Sequence, residues 1–225
     1  MDKRQALILE RSIRDYIQTG KPITSGHLYR RHRFGIKPAM IRRELNALSD
    51  ADYFSQVHHS GGRVPTLKAY RFFVEQLKHE AFGEAPFMSD VFSFMQKGAL
   101  QELVAFLAEE LRLVSVIYDP EEDALYRSGL EALCASQDIF GKDMLLSVIR
   151  DIELLPERLR AERSFWNAEE ENWPAVFIGK NQFTDSDALS VAAGRGKKYR
   201  YLAVGPVRMN YRTVLNLLQS LESYG

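Results

Sequence analysis

The hydrophobic and polar positions of the first 80 residues predict three short helices, a β-hairpin and a fourth helix. Each helical run is bounded by a capping or turn residue, such as Gly20, Thr24, Pro38 or Thr66. The predicted helices cover residues 2–20, 25–32, 37–50 and 67–79. Between the last two, strand-like residues flank a Ser-Gly-Gly turn whose glycines can adopt positive φ, which predicts a hairpin.

The third predicted helix has one apolar face and one basic face. Its apolar positions are spaced i, i+4 and i+7, and they are Ile41, Leu45 and Leu48. At about 100° per residue, Arg43 and Asn46 fall on the opposite face and Arg42 lies at its edge. Such a helix fits a groove of DNA, and with the hairpin it forms a winged helix-turn-helix unit. The alternative is that both arginines are ordinary solvated surface.

The remainder of the chain mixes helical and strand-like patterns. We predict a winged helix-turn-helix domain with its connecting helix over residues 1–80, a linker over 81–88 and a second domain over 89–225. In the second domain, helices are predicted at 89–111, 124–134, 142–162 and 207–223, and strands at 113–118, 175–178, 188–193 and 199–204. This pattern indicates a sheet covered by helices, and an α+β fold class for the whole chain.

Charge is divided unevenly although the chain is neutral overall. Residues 1–80 carry 15 Lys and Arg, 8 Asp and Glu, and all five histidines, whereas the remainder carries 15 and 22. A basic first part favours contact with nucleic acid. The single cysteine, Cys134, excludes a disulfide framework, and no apolar run reaches the length of a membrane span. We therefore expect a cytoplasmic, nucleoid-associated protein.

Candidate chemistry outside the helix and hairpin is sparse. We find no Ser/His/Asp or Cys/His arrangement, so we predict that the chain is not an enzyme and uses no cofactor. A metal site at His58-His59 is disfavoured because two adjacent ligands without a third form a weak site. Gly194-Arg-Gly-Lys-Lys198 lacks the spacing of a phosphate-binding loop and indicates a solvated hairpin turn.

Two separated motifs carry a family resemblance. The first is His58-His-Ser-Gly-Gly-Arg-Val-Pro-Thr66 with Ala69-Tyr-Arg71, which resembles the hairpin and following helix of the heat-inducible transcription repressor family HrcA. The second is Ile178-Gly-Lys180 with Leu202-Ala-Val-Gly-Pro-Val-Arg-Met-Asn-Tyr211, which is similar to segments near the family's C-terminus. The resemblance covers both ends of the chain, and the middle is matched loosely.

The resemblance implies a repressor of chaperone genes that binds an inverted-repeat operator in double-stranded DNA as a homodimer. It also implies a GAF-like second domain and control by a GroE-type chaperonin. The residues selected for DNA binding are Lys37, Met40, Arg42, Arg43, Asn46, His58, His59, Ser60, Gly61, Gly62 and Arg63. For Arg63 the alternative is a structural pairing at the base of the hairpin. For the whole chain, the alternative is a ligand-sensing regulator with a small molecule in the GAF-like domain.

The chain departs from the family pattern in length and in the recognition helix. It is shorter than typical members, and residues 112–124 leave no room for the family's inserted dimerising domain, so the dimer interface cannot be carried over. The family's Ser-x-Ala-Thr-Ile-Arg-Asn-Glu stands here as Lys37-Pro-Ala-Met-Ile-Arg-Arg-Glu44. Met40 and Arg43 replace Thr and Asn, and an arginine favours guanine or phosphate where asparagine favours adenine.

Overall fold

A computed structural model describes residues 1–56, 61–80, 83–139, 141–162, 165–166 and 173–223. The chain divides into two compact units, Met1–His79 and Glu80–Gly225. Each unit buries its own set of apolar side chains. Within the described residues, no helix has both the length and the apolar character that crossing a membrane requires.

The first unit contains four helices and a two-stranded sheet within the described residues. In chain order these are α1 (Lys3–Thr19), α2 (Ser25–Arg31), α3 (Pro38–Asp50), β1 (Phe54–Gln56), β2 (Arg63–Pro65) and α4 (Leu67–Lys78). The predicted helices and hairpin are confirmed. The helix ends follow from local chemistry, because Asp2 and Thr66 cap α1 and α4 through their side chains and Gly20 ends α1 at φ 64°.

The two strands form an antiparallel hairpin that gains a third partner. β1 pairs with β2 so that Gln56 lies opposite Arg63. On its other side, Arg63 pairs with Ile23, which lies between α1 and α2. Both backbone N–H groups of this pair donate to the opposite carbonyl at 2.8 Å. The hairpin is thereby attached to the connection between the first two helices.

The core of the first unit contains the apolar face of α3. Ile41, Leu45 and Leu48 are buried, as the spacing predicts. The other buried side chains of this unit come from the remaining helices and from the hairpin. They include Ile8, Leu9, Ile13, Leu28, Phe54, Tyr70 and Phe73. Burial of one face of α3 leaves the opposite face free for solvent or a ligand.

The second unit is a five-stranded antiparallel sheet with helices on both faces. Its elements are α5 (Met88–Gln96), α6 (Leu100–Leu111), β3 (Val114–Asp119), β4 (Ala124–Ser128), α7 (Leu130–Cys134), α8 (Lys142–Ala161), β5 (Ala175–Ile178), β6 (Leu189–Arg195), β7 (Arg200–Pro206) and α9 (Tyr211–Ser223). The strand order is β4-β3-β7-β6-β5. The prediction of mixed helices and strands is confirmed.

Alternate residues of the central strands face two different sets of helices. Val114 and Val116 of β3 join a cluster with residues of α8. On the other face, Gly194 of β6 lies against Leu218 of α9, where an added Cβ would meet Leu218 atoms at 3.0 Å. Because both faces are covered, every residue of β3 is buried, including Ser115 and Asp119.

Three predicted elements of the second unit were wrong in type or extent. The helix predicted over 89–111 is two helices, because Gly98 adopts φ 66° between α5 and α6. Residues 124–128 form β4 rather than the start of a helix, since they pair with β3, and Gly129 at φ 100° separates them from α7. The last helix begins at Tyr211, after a turn that follows Pro206.

Candidate nucleic-acid interface

Helix α3 presents two different flanks beside its exposed face. On one flank, Glu44 accepts a hydrogen bond at 3.0 Å from Gln5 Nε2 of α1. On the other flank, Asn46 and Ser49 contact Arg63 of β2. Because these contacts come from opposite sides, α3 is held between α1 and the hairpin with its outward face uncovered within the first unit.

The outward face of α3 is basic and solvent-exposed. Lys37, Arg42 and Arg43 are exposed, and none of them forms an ion pair within the described part of the chain. Met40 is 37% exposed and lies on the same surface. These four predicted site residues are therefore available to a ligand. Unpaired guanidinium and ammonium groups on a helix surface can contact phosphate oxygens or guanine edges.

Arg63 joins the hairpin to α3 through its side chain. Its Nε donates to Ser49 Oγ at 3.0 Å, and its terminal nitrogen donates to Asn46 Oδ1. Burial, and secondly the positive charge of Arg42, lower the pKa of the Arg63 guanidinium from its ordinary value. The structure thus brings together Asn46 and Arg63, which the sequence analysis selected as two separate DNA contacts.

The hairpin tip is only partly described. His58, His59 and Ser60 lie outside the described residues, so their predicted role stays a prediction. Gly61 is half-buried, whereas Gly62 is buried. An added Cβ at Gly62 would lie 2.8 Å from Pro22 and from the carbonyl oxygen of Ile23. Gly62 is therefore required by the close approach of the chain before α2, a role that its selection as a DNA-binding residue did not foresee.

The sequence analysis did not select two further exposed arginines. Arg30 and Arg33 lie at the end of α2 and in the turn that leads to α3, and both are exposed. They add positive charge immediately before the basic face of α3. The clustering of arginines in residues 30–33 was visible in the sequence, but the sequence does not show that Arg31, between them, pairs with Asp15 of α1.

A buried carboxylate anchors the same part of α2. Asp15 of α1 is 2% exposed. Its oxygens lie 3.0 Å from Arg31 Nε and 2.9 Å from His32 Nε2. His27 Nε2 lies 3.3 Å from the same Asp15 oxygen but is not hydrogen-bonded to it. No group of three or more His, Cys, Asp or Glu side chains suited to a metal ion occurs among the described residues.

The C-terminal motif of the sequence analysis has a structural role in the second unit. Tyr211 is fully buried, and its hydroxyl donates to the carbonyl of Val207 at 2.6 Å. That hydroxyl also lies 2.8 Å from Ser190 Oγ of β6, which must then be the donor in this bond. Arg208 pairs with Asp138 at 2.8 Å. These contacts tie the start of α9 to the sheet and to the segment after α7.

The second unit also contains an open pocket beside α7. Its volume is about 550 Å³, and it is lined by Arg112, Ala132, Ala135, Ser136, Gln137 and Arg208. Arg112 is exposed, and it ends α6 in the left-handed region at φ 54°. Two guanidinium groups at one pocket give it a positive character, although the ion pair with Asp138 offsets part of the charge of Arg208.

The chain is similar to several curated proteins that carry the name heat-inducible transcription repressor HrcA. No protein-family model matches the chain. The heat-inducible transcription repressor HrcA of Clostridium tetani is 30% identical over 165 residues, which are 69% of this chain and 45% of the relative. The protein of that name from Thermobifida fusca is 34% identical over 140 residues, 59% of this chain and 39% of the relative. The one from Beutenbergia cavernae is 45% identical over 76 residues, 34% of this chain and 22% of the relative.

One solved structure has the same fold over its full length. The crystal structure of a hypothetical protein, solved at 2.2 Å, superposes with a TM-score of 0.71 over 100% of this chain and 97% of that chain. The two sequences are 16% identical, so the likeness concerns the fold alone. The curated relatives are longer, and the chain spans less than half of the length of each of the three described above.

Proposed function

Because the chain belongs to the family of the heat-inducible transcription repressor HrcA, we propose that it is a DNA-binding repressor of heat-shock genes. The first unit is a winged helix-turn-helix domain in which α3 is the recognition helix and the hairpin is the wing. The second unit is a GAF-like regulatory and dimerisation domain. The relatives carry the name of a transcription repressor and not that of an enzyme.

The observation that carries this proposal is the uncovered basic face of α3 beside the hairpin. The recognition helix enters the major groove with Lys37, Met40 and Arg43, and Arg42 contacts the adjacent phosphates. The attachment of the hairpin supports this assignment, since a β-bridge between Ile23 and Arg63 joins the hairpin to the connection between α1 and α2. Arg30 and Arg33 contribute further phosphate contacts before α3.

The operator is an inverted repeat bound by a homodimer. A two-fold dimer places two copies of α3 in successive major grooves, so the half-sites lie about 34 Å apart, one helical turn of DNA. Protein symmetry then matches operator symmetry.

The test is footprinting on DNA fragments from upstream of chaperone genes. We expect protection of an inverted repeat, with an affinity that falls steeply as salt concentration rises, because phosphate contacts release counterions. The matched control is a fragment of equal length and composition with a scrambled sequence. Equal affinity for both fragments would contradict sequence-specific binding upstream of chaperone genes. Mapping of the bound sites across the genome before and after heat shock would then identify any other targets.

The pocket beside α7 supports a second candidate, a regulator whose DNA affinity responds to a small anionic ligand. Arg112 and Arg208 suit a carboxylate or phosphate group, and the volume suits a small metabolite. Native mass spectrometry of the freshly purified chain tests this candidate. A bound species lost in the Arg112→Ala variant supports it, and a chain that retains no ligand contradicts it.

We also propose a GroE-type chaperonin as a partner that maintains the active form of the protein. This partner comes from the family resemblance. The measurement is the fraction of DNA-binding-competent protein after refolding with and without chaperonin. An unchanged fraction would contradict chaperonin control of this protein.

A further inference from the structure

We propose that Arg63 sets the base preference of α3 by turning the Asn46 amide oxygen towards the hairpin, so that the amide presents its N–H donors to DNA. The inference rests on the proposed function, because it assumes that α3 reads the major groove. It adds a specificity-determining residue that lies on the hairpin and not on the recognition helix.

The backbone of Arg63 is fixed on both sides. On one side Arg63 lies opposite Gln56 in the hairpin. On the other side it exchanges two backbone hydrogen bonds of 2.8 Å with Ile23. A residue paired along both edges has little freedom to shift, so the direction in which its side chain leaves β2 is set by the fold.

The hydrogen bonds along α3 determine how the Arg63 side chain is oriented. Ser49 Oγ donates its hydrogen to the Leu45 carbonyl at 3.0 Å, so its lone pair is free to accept from Arg63 Nε, also at 3.0 Å. The terminal nitrogen of Arg63 then donates to Asn46 Oδ1. Asn46 and Ser49 are spaced i, i+3 and lie on the same flank of the helix.

The orientation of the Asn46 amide follows from the chemistry of its partner. A guanidinium has five N–H donors and no acceptor, so the atom of Asn46 that faces it must be the oxygen. Asn46 is exposed, and its Nδ2 makes no hydrogen bond within the described residues. The group that Asn46 offers to solvent is therefore an NH₂ with its donors free.

The neighbouring charge strengthens this assignment. Arg42 lies close enough to Arg63 for its charge to disfavour the protonated guanidinium, so the two cations repel each other. The oxygen of Asn46 stabilises the terminal nitrogen of this guanidinium, as Ser49 Oγ stabilises its Nε. Rotating the amide by 180° would place NH₂ against a guanidinium and leave both without an acceptor.

The orientation of the amide discriminates between the purines. Asparagine reads adenine by accepting from N6 and donating to N7, which requires Oδ1 to face the base edge. Guanine instead presents two acceptors, N7 and O6, to which an NH₂ group can donate. With Oδ1 turned towards the Arg63 guanidinium, the NH₂ group faces the base, and its second hydrogen meets O6 at guanine but a donor at adenine. We expect a preference for guanine over adenine on the order of tenfold at the base that Asn46 contacts.

The experiment is selection of bound sites from a random duplex library with the full chain and four variants. Asn46→Ala identifies the position that Asn46 reads, because preference there is lost. Arg63→Met keeps the aliphatic stem and frees Oδ1, so preference at that position moves from guanine towards adenine. Ser49→Ala is the matched control: it removes the Nε partner but leaves the bond between Arg63 and Asn46, so guanine remains preferred.

The fourth variant protects the test against misfolding. Asn46→Asp retains an acceptor for Arg63 and removes every donor, so the guanine preference disappears without exposing the arginine. Circular dichroism shows whether Arg63→Met remains folded, and if it does not, the two Asn46 variants decide. Adenine selected by the wild-type chain at the Asn46 position, or an unchanged preference in folded Arg63→Met, overturns the inference. Failure of the wild-type chain to enrich any site overturns the proposed function instead.

Discussion

At the scale of single residues, the outward side chains of α3 differ in how firmly the protein holds them. Arg43 has no ion-pair partner among the described residues, whereas Asn46 is bound to Arg63. A free arginine can adapt to a base or a phosphate, but it loses side-chain entropy when it does so. A fixed asparagine has already lost that freedom. On one helix, Arg43 would then provide a contact that adjusts to the DNA, and Asn46 a contact whose position is fixed before binding.

Replacing Arg43 by alanine tests the free position. We expect the affinity for the operator to fall by about 1–3 kcal/mol and base preference at one position to relax, because Arg43 loses no ion pair within the described residues. The measurement is gel shift at fixed salt with the operator and its point variants. Arg11→Ala on α1 removes an equal charge from an exposed position and is the control. An equal loss in both variants would indicate general electrostatics in place of base reading.

Gly62 provides a test of the hairpin attachment. An alanine there would overlap the backbone of Pro22 and Ile23 at 2.8 Å, so we expect Gly62→Ala to destabilise the first unit by about 1–3 kcal/mol. Gly26→Ala is the control, because its Cβ would meet only Arg30 at 3.6 Å and alanine favours the helix.

The measurement separates the two units by their chromophores. Both tryptophans of the chain, Trp166 and Trp173, belong to the second unit, so tryptophan fluorescence reports on that unit and far-ultraviolet circular dichroism on both. We expect Gly62→Ala to shift only the dichroism transition in urea. A shift of the fluorescence transition, or a chain as stable as Gly26→Ala, would contradict the packing role of Gly62.

At the scale of elements, polar anchors determine where the helices of the first unit meet. Asp15 of α1 holds Arg31 and His32 at the end of α2. Replacing Asp15 by asparagine removes a buried negative charge from two partners, and we expect a loss of about 2 kcal/mol in the free energy of unfolding of the first unit. Hydrogen exchange of α1 and α2 amides measures it. Glu10→Gln breaks only the i, i+4 pair with Arg14 and should cost less than about 0.5 kcal/mol, so equal costs would count against the anchor.

The second unit has a comparable anchor between β6 and α9. Removing the hydroxyl in Tyr211→Phe leaves the buried Ser190 hydroxyl without its acceptor and the Val207 carbonyl without its donor. We expect the unit to lose about 1–3 kcal/mol, measured by tryptophan fluorescence in urea. Tyr126→Phe on the edge strand is the control, because Tyr126 is only half-buried. In the double variant with Ser190→Ala the losses should be less than additive.

Tyr211 also gives the second unit a characteristic alkaline response. Burial raises the pKa of Tyr211 above its ordinary value, although the Ser190 hydrogen bond acts in the opposite direction. The folded chain therefore keeps this proton while the unfolded chain releases it above about pH 10. Stability present below that pH should fall as pH rises, by about 1.4 kcal/mol per unit. Tyr211→Phe should lack this pH-dependent loss of stability when the urea midpoints of both proteins are compared between pH 9 and 11. Midpoints that fall equally with pH in both proteins would contradict the assignment to Tyr211.

The elements show where sequence patterns suffice and where they do not. Periodicity located α3, since Ile41 and its partners recur at helical spacing, and turn chemistry located the hairpin. Periodicity mispredicted β4, because residues 124–128 form a strand only by pairing with β3. The pattern of a single segment contains no information about such a partner. The partner of Arg63 was not predicted. Asn46 and Arg63 were both selected as DNA contacts, with a structural pairing of Arg63 as the alternative, but their contact depends on how the hairpin packs on α3.

At the scale of the whole molecule, the basic part of the chain is balanced by an acidic one. Residues 81–225 carry 22 Asp and Glu against 15 Lys and Arg. An isolated fragment of residues 1–79 should therefore bind non-specific duplex DNA more tightly than the full chain, because it lacks the repulsion between the acidic unit and phosphate.

Salt titration measures this difference. Both proteins should show the same slope of log affinity against log salt, since the phosphate contacts are made by the first unit in each case. The full chain should show the lower affinity at low salt, and the two curves should converge when salt screens the acidic unit. A fragment that binds more weakly at all salt concentrations would contradict the electrostatic argument.

The strand order has a consequence for how the chain is made. β3 is followed directly in the sequence by one partner strand, β4, but its other partner, β7, comes some 80 residues later. β7 also connects β3 to β6 in the sheet. During synthesis, the residues of the first unit are complete long before this sheet can close. Until residues 200–206 have left the ribosome, β3 retains one unsatisfied edge and an apolar surface. The nascent chain thus passes through a stage in which the unpaired edge of β3 is accessible to a chaperone.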